Sequence, residues 1–156
     1  MELQWRQTSH AWIASLPDQD ELSGEELDRP VEPAVKDLAS HLLSLGGKTV
    51  SVPINEWPQF CKALTLLGQV LPGIAVEVRK GAERACHANS VRLWMDDKVN
   101  HRLATGFGLS EDQMWRRHSW VIGTDNKIIE TTQKREKYFG LLLEDESAEQ
   151  FARWYR

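Results

Sequence analysis

From Arg102 onward the hydrophobic pattern of this chain changes, and that change limits the folds open to it. Before it, Val35, Leu38, Ala39, Leu42, Leu43 and Leu45 recur at helical spacing and stop at Gly46-Gly47, where glycine can take a left-handed cap. After it, Leu103 to Leu109, Met114 to Ile122 and Lys127 to Thr132 alternate with the two-residue period of strands, the last two joined by a turn around Asp125-Asn126. Helices followed by a β-meander define an α+β layout. A length of 156 residues suits one domain spanning the chain, and no internal repeat or low-complexity tract interrupts it.

Other segments are read on the same rules. Leu3, Trp5, Trp12, Ile13 and Leu16 form a weak helical pattern that ends at Pro17. Asp18 to Pro33, with six acidic residues before Pro30, reads as a solvated connector that can lie over a site as a lid. Thr49 to Ile54 is β-branched and alternating. Asn55 then offers an N-cap to a helix with Pro58 in its first turn, a buried stripe of Phe60, Leu64, Leu67 and Val70, and a stop at Pro72-Gly73. Ile74 to Val78 reads as a strand, Ala82 to Asp97 as a helix, and Ser147 to Tyr155 as a helix capped by Ser147 with Phe151 and Trp154 inward.

Composition excludes several classes. With 41% hydrophobic and 27% charged residues the chain is neither disordered nor fibrous, and a net charge of −4 gives no basis for binding nucleic acid or an anionic membrane. No apolar run approaches the roughly 18 residues of a membrane span. The opening Met1-Glu2-Leu3-Gln4-Trp5-Arg6 lacks a basic-then-apolar leader, so the expected compartment is the cytoplasm and both cysteines are expected as thiols. Most of the seven tryptophans, Trp57, Trp94, Trp115, Trp120 and Trp154 among them, are expected in the core or a groove wall.

Cys61 follows Phe60 inside an apolar helix and reads as core. Cys86 lies near the start of a helix, where the positive end of the dipole and a nearby imidazole lower a thiol pKa. Its surroundings, Arg84-Ala85-Cys86-His87-Ala88-Asn89-Ser90, put polar groups on several helix faces. Asn89, three residues on, is placed to serve as an oxyanion donor or substrate clamp, or else as an exposed helix asparagine. His87, adjacent in sequence, points about a quarter-turn away and reads as an outer or surface group. His118 shares a strand face with Trp120 and Ile122, which suits either a satisfied core histidine or a fixed general base.

A carboxylate for that base comes from Ile128-Ile129-Glu130-Thr131-Thr132. If the loop is Thr124-Asp125-Asn126, Glu130 pairs with Trp120 and lies diagonal to His118. With a loop of Asp125-Asn126 alone, Glu130 points away and Thr131 or Gln133 takes its place. Metal ligation is disfavoured, since Cys86-His87 is too tight a spacing for one zinc, and Gly106-Phe107-Gly108 lacks the helix and third glycine of a phosphate loop. No cofactor is expected.

A helix-borne Cys86, then His118-Ser119-Trp120 on a strand, then Glu130-Thr131-Thr132 on the next, resembles the Cys, His, acid order of papain-like and transglutaminase-like cysteine hydrolases. The resemblance covers about Arg84 to Thr132. It implies a cysteine-bearing helix packed on an antiparallel sheet, and an acyl-transfer site in which Cys86 attacks an amide of a peptide or protein substrate. Glu130 stands where the superfamily usually has Asp, and protease, cell-wall peptidase, deamidase and transglutaminase chemistries all stay open. The rival expectation is a non-catalytic protein-binding module on the same scaffold, with Trp115 and Trp120 forming a groove.

Overall fold

In the computed structural model, which describes residues 2–17, 24–72 and 75–155, the chain divides into two compact units. One comprises Met1–Gly68 and Leu109–Arg117, the other Gln69–Gly108 and His118–Arg156.

The first unit begins with a hairpin where the sequence predicts a helix. Strands β1 (Gln4–Gln7) and β2 (Ala11–Ser15) pair antiparallel, with Gln4 opposite Ser15. Thr8 makes the turn, its Oγ1 accepting the His10 and Ala11 N–H groups at 3.2 and 3.0 Å. Trp12, Ile13, Ala14 and Ser15 are all buried. A strand covered on both faces shows no alternation, so the apolar run has no strand signature. Gly24 to Asp28, within the expected connector, lies along β1 through a Gln7–Glu25 bridge and an Asp28 N–H donated to the Gln7 side chain. Residues 18–23 of that connector lie outside the described residues.

Helix α1 (Pro33–Leu45) starts and stops where expected, with Pro33 in its first turn and Val35, Leu38, Ala39 and Leu42 buried. Gly47 has φ +78°, and a Cβ there would fall 2.9 Å from Leu109 Cδ1. Strand β3 (Thr49–Pro53) pairs antiparallel with β2 and parallel with the first residues of β7 (Met114–Ile122), Val50 opposite Trp115. Helix α2 (Pro58–Leu67) is capped by Trp57, not Asn55, and ends at Gly68. It buries Cys61 and Leu64, whereas Leu67 is 67% exposed and Val70 belongs to a strand.

In the second unit, β4 (Gln69–Pro72) pairs antiparallel with β9 (Lys137–Leu143), and β5 (Val76–Val78) pairs parallel with β8 (Ile128–Glu130). β6 (Arg102–Leu109) lies between β7 and β9 in the strand order. β6, β7 and β8 occupy the three segments whose alternation announces them. β4 and β9 were not expected: Gly68 falls inside an apolar series, and Tyr138 to Leu143 is a continuous apolar run. Helix α3 (Cys86–Asp96) begins at the cysteine itself, and α4 (Asp145–Tyr155) begins two residues before Ser147, burying Ala148 and Ala152 while Trp154 is 65% exposed.

The strands' two-residue period divides the packing of this unit. Leu103, Val121 and Ile129 meet Val91 and Trp94 of α3 and Ala148 and Ala152 of α4. Ala104, Trp120, Ile122, Ile128 and Tyr138 form a separate aromatic-rich cluster. Burial of each large side chain contributes about 1.5–3 kcal/mol. The α+β class therefore holds, with four helices among the described residues. The expected antiparallel sheet is corrected to a mixed one by the parallel β3–β7 and β5–β8 pairs. Among the described residues no helix is long and apolar enough to cross a membrane.

Close approach of β6 and β9 requires Gly106, whose Cβ would sit 2.1 Å from the Phe139 carbonyl oxygen. Gly106→Ala is therefore expected to lower stability by about 1–3 kcal/mol, as overpacking does. A urea titration checks this, and an unchanged midpoint would contradict the packing described.

Candidate active site

The second unit brings Cys86, His118 and Glu130 together, each placed by a local feature of the chain. The loop before α3 is tied to β8 and its continuation by the Arg79 N–H on the Glu130 carbonyl and the Gly81 N–H on the Thr131 carbonyl, both 2.8 Å. Arg84 turns the chain at φ 57°, so that Cys86 is the first residue of α3. Asn89 is buried. Its Nδ2 donates to the Ala82 carbonyl at 2.8 Å and its Oδ1 accepts the Ala82 N–H at 3.3 Å. A Cβ on Gly81 would lie 2.6 Å from the Asn89 Cγ, so this glycine makes room for the clamp. The structure thus places Asn89 as the anchor of the loop that delivers Cys86, its amide engaged there and not turned to a substrate.

The β7–β8 hairpin fixes the acid. Val121 opposes Ile129 and Ile122 opposes Ile128, which makes the loop Thr124-Asp125-Asn126, with Asn126 left-handed at φ 60°. Continued by two residues, this register sets Glu130 across from Trp120 and diagonal to His118. The Glu130 Oε1 lies 2.7 Å from His118 Nε2, and both side chains are essentially without exposure, at 0% and 1%. Of the alternatives for this position, Thr131 is buried beside it and Gln133 is exposed.

Glu130 is held by more than the histidine. The Tyr138 hydroxyl donates to Oε1 at 2.9 Å, while the Thr132 N–H and hydroxyl donate to Oε2 at 2.9 and 3.0 Å. The Tyr138 oxygen in turn accepts the Arg135 N–H at 3.0 Å. Burial works to raise the carboxyl pKa, but the hydrogen bond and charge of His118, with the Thr132 and Tyr138 donors, bring it below the usual carboxylate range. Burial and the adjacent carboxylate push the Tyr138 phenol well above its ordinary value, so it remains a donor.

With Nε2 committed to Glu130, His118 also acts on Cys86, and each shifts the other's pKa. Burial alone would lower the histidine pKa; hydrogen bonds to Cys86 and Glu130, and their charges, raise it above 6.5. Burial also opposes the Cys86 thiolate, yet hydrogen bonds and charge from His118 and then His87 bring this thiol down to about 5. Cys61 shows the reverse, burial and the Glu56 carboxylate pushing it up to about 11.

Trp120 is buried beneath the histidine, stacked on it at 6.0 Å and edge-on to Tyr138 at 5.1 Å. It is a wall and not an open groove. Trp115 belongs to the other unit, fully buried with its indole N–H donated to the Gly46 carbonyl at 2.9 Å, and it does not join these residues. Trp94 is core, whereas Trp57 and Trp154 are exposed. His87, expected as an outer or surface group, is half-buried: its Nδ1 lies 2.6 Å from the Ser119 Oγ and its ring packs against Phe151 and Tyr155 of α4. Tyr138, Thr132 and Ser119 carried no local signal beyond a buried phenol's need for a partner. Among the described residues, no group of three or more His, Cys, Asp or Glu side chains is disposed to hold a metal ion.

No family model, curated protein or solved structure matches the chain. The site therefore has to be judged on its own chemistry, and the two cysteines give the contrast. Iodoacetamide at neutral pH is expected to modify Cys86 and spare Cys61, read by peptide mass spectrometry of the folded protein. Equal labelling would contradict the assigned environments.

Proposed function

We propose that this chain is a cysteine-dependent hydrolase or acyltransferase acting on a peptide or side-chain amide, with Cys86 as nucleophile, His118 as acid–base and Glu130 orienting the histidine. The observation that carries this reading is the buried 2.7 Å contact of His118 Nε2 with Glu130 Oε1, in the same unit as a Cys86 that opens α3 and whose pKa His118 helps to lower. It matches the catalytic order of papain-like and transglutaminase-like hydrolases, and we extend the reading to membership of that superfamily. A binding module has no use for an ionised, partly buried thiol beside a buried histidine and carboxylate. Ionising groups that face desolvation is costly unless the charge is used.

The chemistry follows from the protonation states. The Cys86 thiolate adds to the amide carbonyl carbon, and the backbone N–H of Cys86 at the start of α3 faces the developing oxyanion. His118 gives its Nδ1 proton to the leaving nitrogen as the C–N bond breaks, leaving a thioester. Water, or an acceptor amine, then loses a proton to His118 as it attacks the thioester, and the C–S bond breaks to restore the thiolate. Glu130 stays ionised throughout and keeps Nε2 protonated.

The pH dependence has a definite sign. Because the Cys86 pKa is lowered, the rate is lost as pH falls through about 5, where the thiolate takes up a proton. Because the His118 pKa is raised, the rate is lost on the alkaline side only above the usual histidine value of 6.5, where the leaving group has no donor. The test is release of ammonia or amine from a panel of peptide amides and glutamine-containing peptides by the parent, Cys86→Ala and His118→Ala. We expect a bell-shaped profile for the parent and a drop of about 100-fold or more in each variant. Turnover by Cys86→Ala equal to the parent would sink the assignment.

A further inference from the structure

Beside the histidine stands a guanidinium that the proposed cycle does not use. Arg135 follows β8 in the cationic stretch Lys134-Arg135-Glu136-Lys137. Its stem lies over Gly108: the Cβ that this glycine lacks would be 2.8 Å from Arg135 Cγ, 3.3 Å from Arg135 Cδ and 3.3 Å from His118 Cδ2. The arginine stem and the imidazole are therefore neighbours over one glycine, and the missing side chain makes room for both.

Arg135 is held in that place from two sides. Its backbone N–H donates to the Tyr138 oxygen at 3.0 Å, and the same hydroxyl donates to Glu130 Oε1 at 2.9 Å, so the arginine shares the network that fixes the acid. Within the side chain, Nη1 donates to the Gln133 carbonyl oxygen. The rest of the head group finds no acceptor in the fold. Nε is withdrawn from solvent and has no hydrogen-bond partner among the described residues. A buried N–H in that state is unfavourable and uncommon. Arg79, Arg116 and Arg117 each meet a carboxylate, of Glu77, Asp112 and Glu56 respectively. Among the described residues no carboxylate forms an ion pair with Arg135. Glu130, the acid of the site, has both oxygens filled by His118, Tyr138 and Thr132.

The shape of the group says what acceptor fits. A guanidinium is planar, and its Nε–H and one Nη2–H project side by side along one edge, at the spacing of the two oxygens of a carboxylate. With Nη1 turned to Gln133, this is the edge that the fold does not use. We propose that Arg135 is a substrate-binding residue that takes a carboxylate of the substrate on this edge, so that the favoured substrate is an amide with a carboxylate close to the bond that is cut. This rests on the reading of Cys86 as nucleophile and His118 as acid–base. The carboxylate belongs either to an acidic side chain or to the end of a peptide, and both present the same pair of oxygens.

The test uses two alkylating reagents of the same size, iodoacetate and iodoacetamide, which differ in carrying a carboxylate or its neutral amide. Their rates at Cys86 are compared by peptide mass spectrometry at neutral pH in the parent, Arg135→Gln and Arg135→Lys, with a thermal melt of each to verify folding. The iodoacetate-to-iodoacetamide ratio is expected to fall by about tenfold in Arg135→Gln, and by less in Arg135→Lys, which keeps the charge without the paired donors. Should Arg135→Gln be unfolded, Arg135→Met, which keeps an apolar stem over Gly108, takes its place. Peptide amides paired as Glu against Gln beside the scissile bond, and as free against amidated C-terminus, separate the two sources: the pair whose kcat/KM ratio collapses in Arg135→Gln identifies side chain or chain end. The same reagent ratio in all variants, with Cys86 of the parent still labelled ahead of Cys61, overturns the role of Arg135 and leaves the nucleophile reading intact. Iodoacetamide labelling of Cys86 no faster than Cys61 in the parent removes both.

Discussion

A carboxylate with no solvent exposure persists in ionised form only where its oxygens are filled by donors, and the site depends on how Glu130 meets that requirement. Oε1 receives His118 and Tyr138; Oε2 receives the N–H and hydroxyl of Thr132. Once the charge is fixed there, His118 is oriented through Nε2 and its protonated state is favoured, and the protonated ring favours the thiolate of Cys86. The order of cause therefore runs from acid to histidine to sulfur, opposite to the direction of the proposed chemistry. Removing the carboxylate would leave the His118 Nε2–H and the Tyr138 hydroxyl without their acceptor in a buried site.

The scaffold is arranged to keep that chain of contacts short. A three-residue loop sets the β7–β8 register, and a slip of one residue would turn Glu130 to the other face. Gly108 keeps space beside the histidine, since a Cβ there would lie 2.8 Å from Arg135 Cγ and 3.3 Å from His118 Cδ2. Asn89 pins the loop that sets Cys86 at the positive end of α3. The side chains proposed to carry the chemistry thus come from a helix start and two strands, elements stiffer than the loops between them.

What could be read from the sequence follows from which rules are local. Helix α1 is bracketed by Pro33 and Gly46-Gly47, and β6 to β8 alternate, so their existence needs no tertiary information. The N-terminal hairpin, β4 and β9 are hidden because strands covered on both faces, or fused to apolar neighbours, lose the two-residue period. Cys86, His118 and Glu130 stood out because each is a polar residue in an apolar or helix-starting context. Their supports did not: Tyr138 lies eight residues beyond Glu130 in an apolar run, and the Ser119–His87 contact joins positions 32 apart. His87 was read as an outer or surface group, and its contact with the Ser119 hydroxyl needs the fold to be seen.

The measurement closest to the central claim is the protonation of the His118 ring nitrogens, followed by nitrogen NMR of histidine-labelled protein at neutral pH in the parent and in Cys86→Ser. If Cys86 and Glu130 hold the ring between two negative charges, both nitrogens of His118 are protonated in the parent, and the ring titrates at lower pH in the variant. A neutral His118 in the parent, with the same titration in Cys86→Ser, would mean that thiol and histidine are neighbours without being an ion pair.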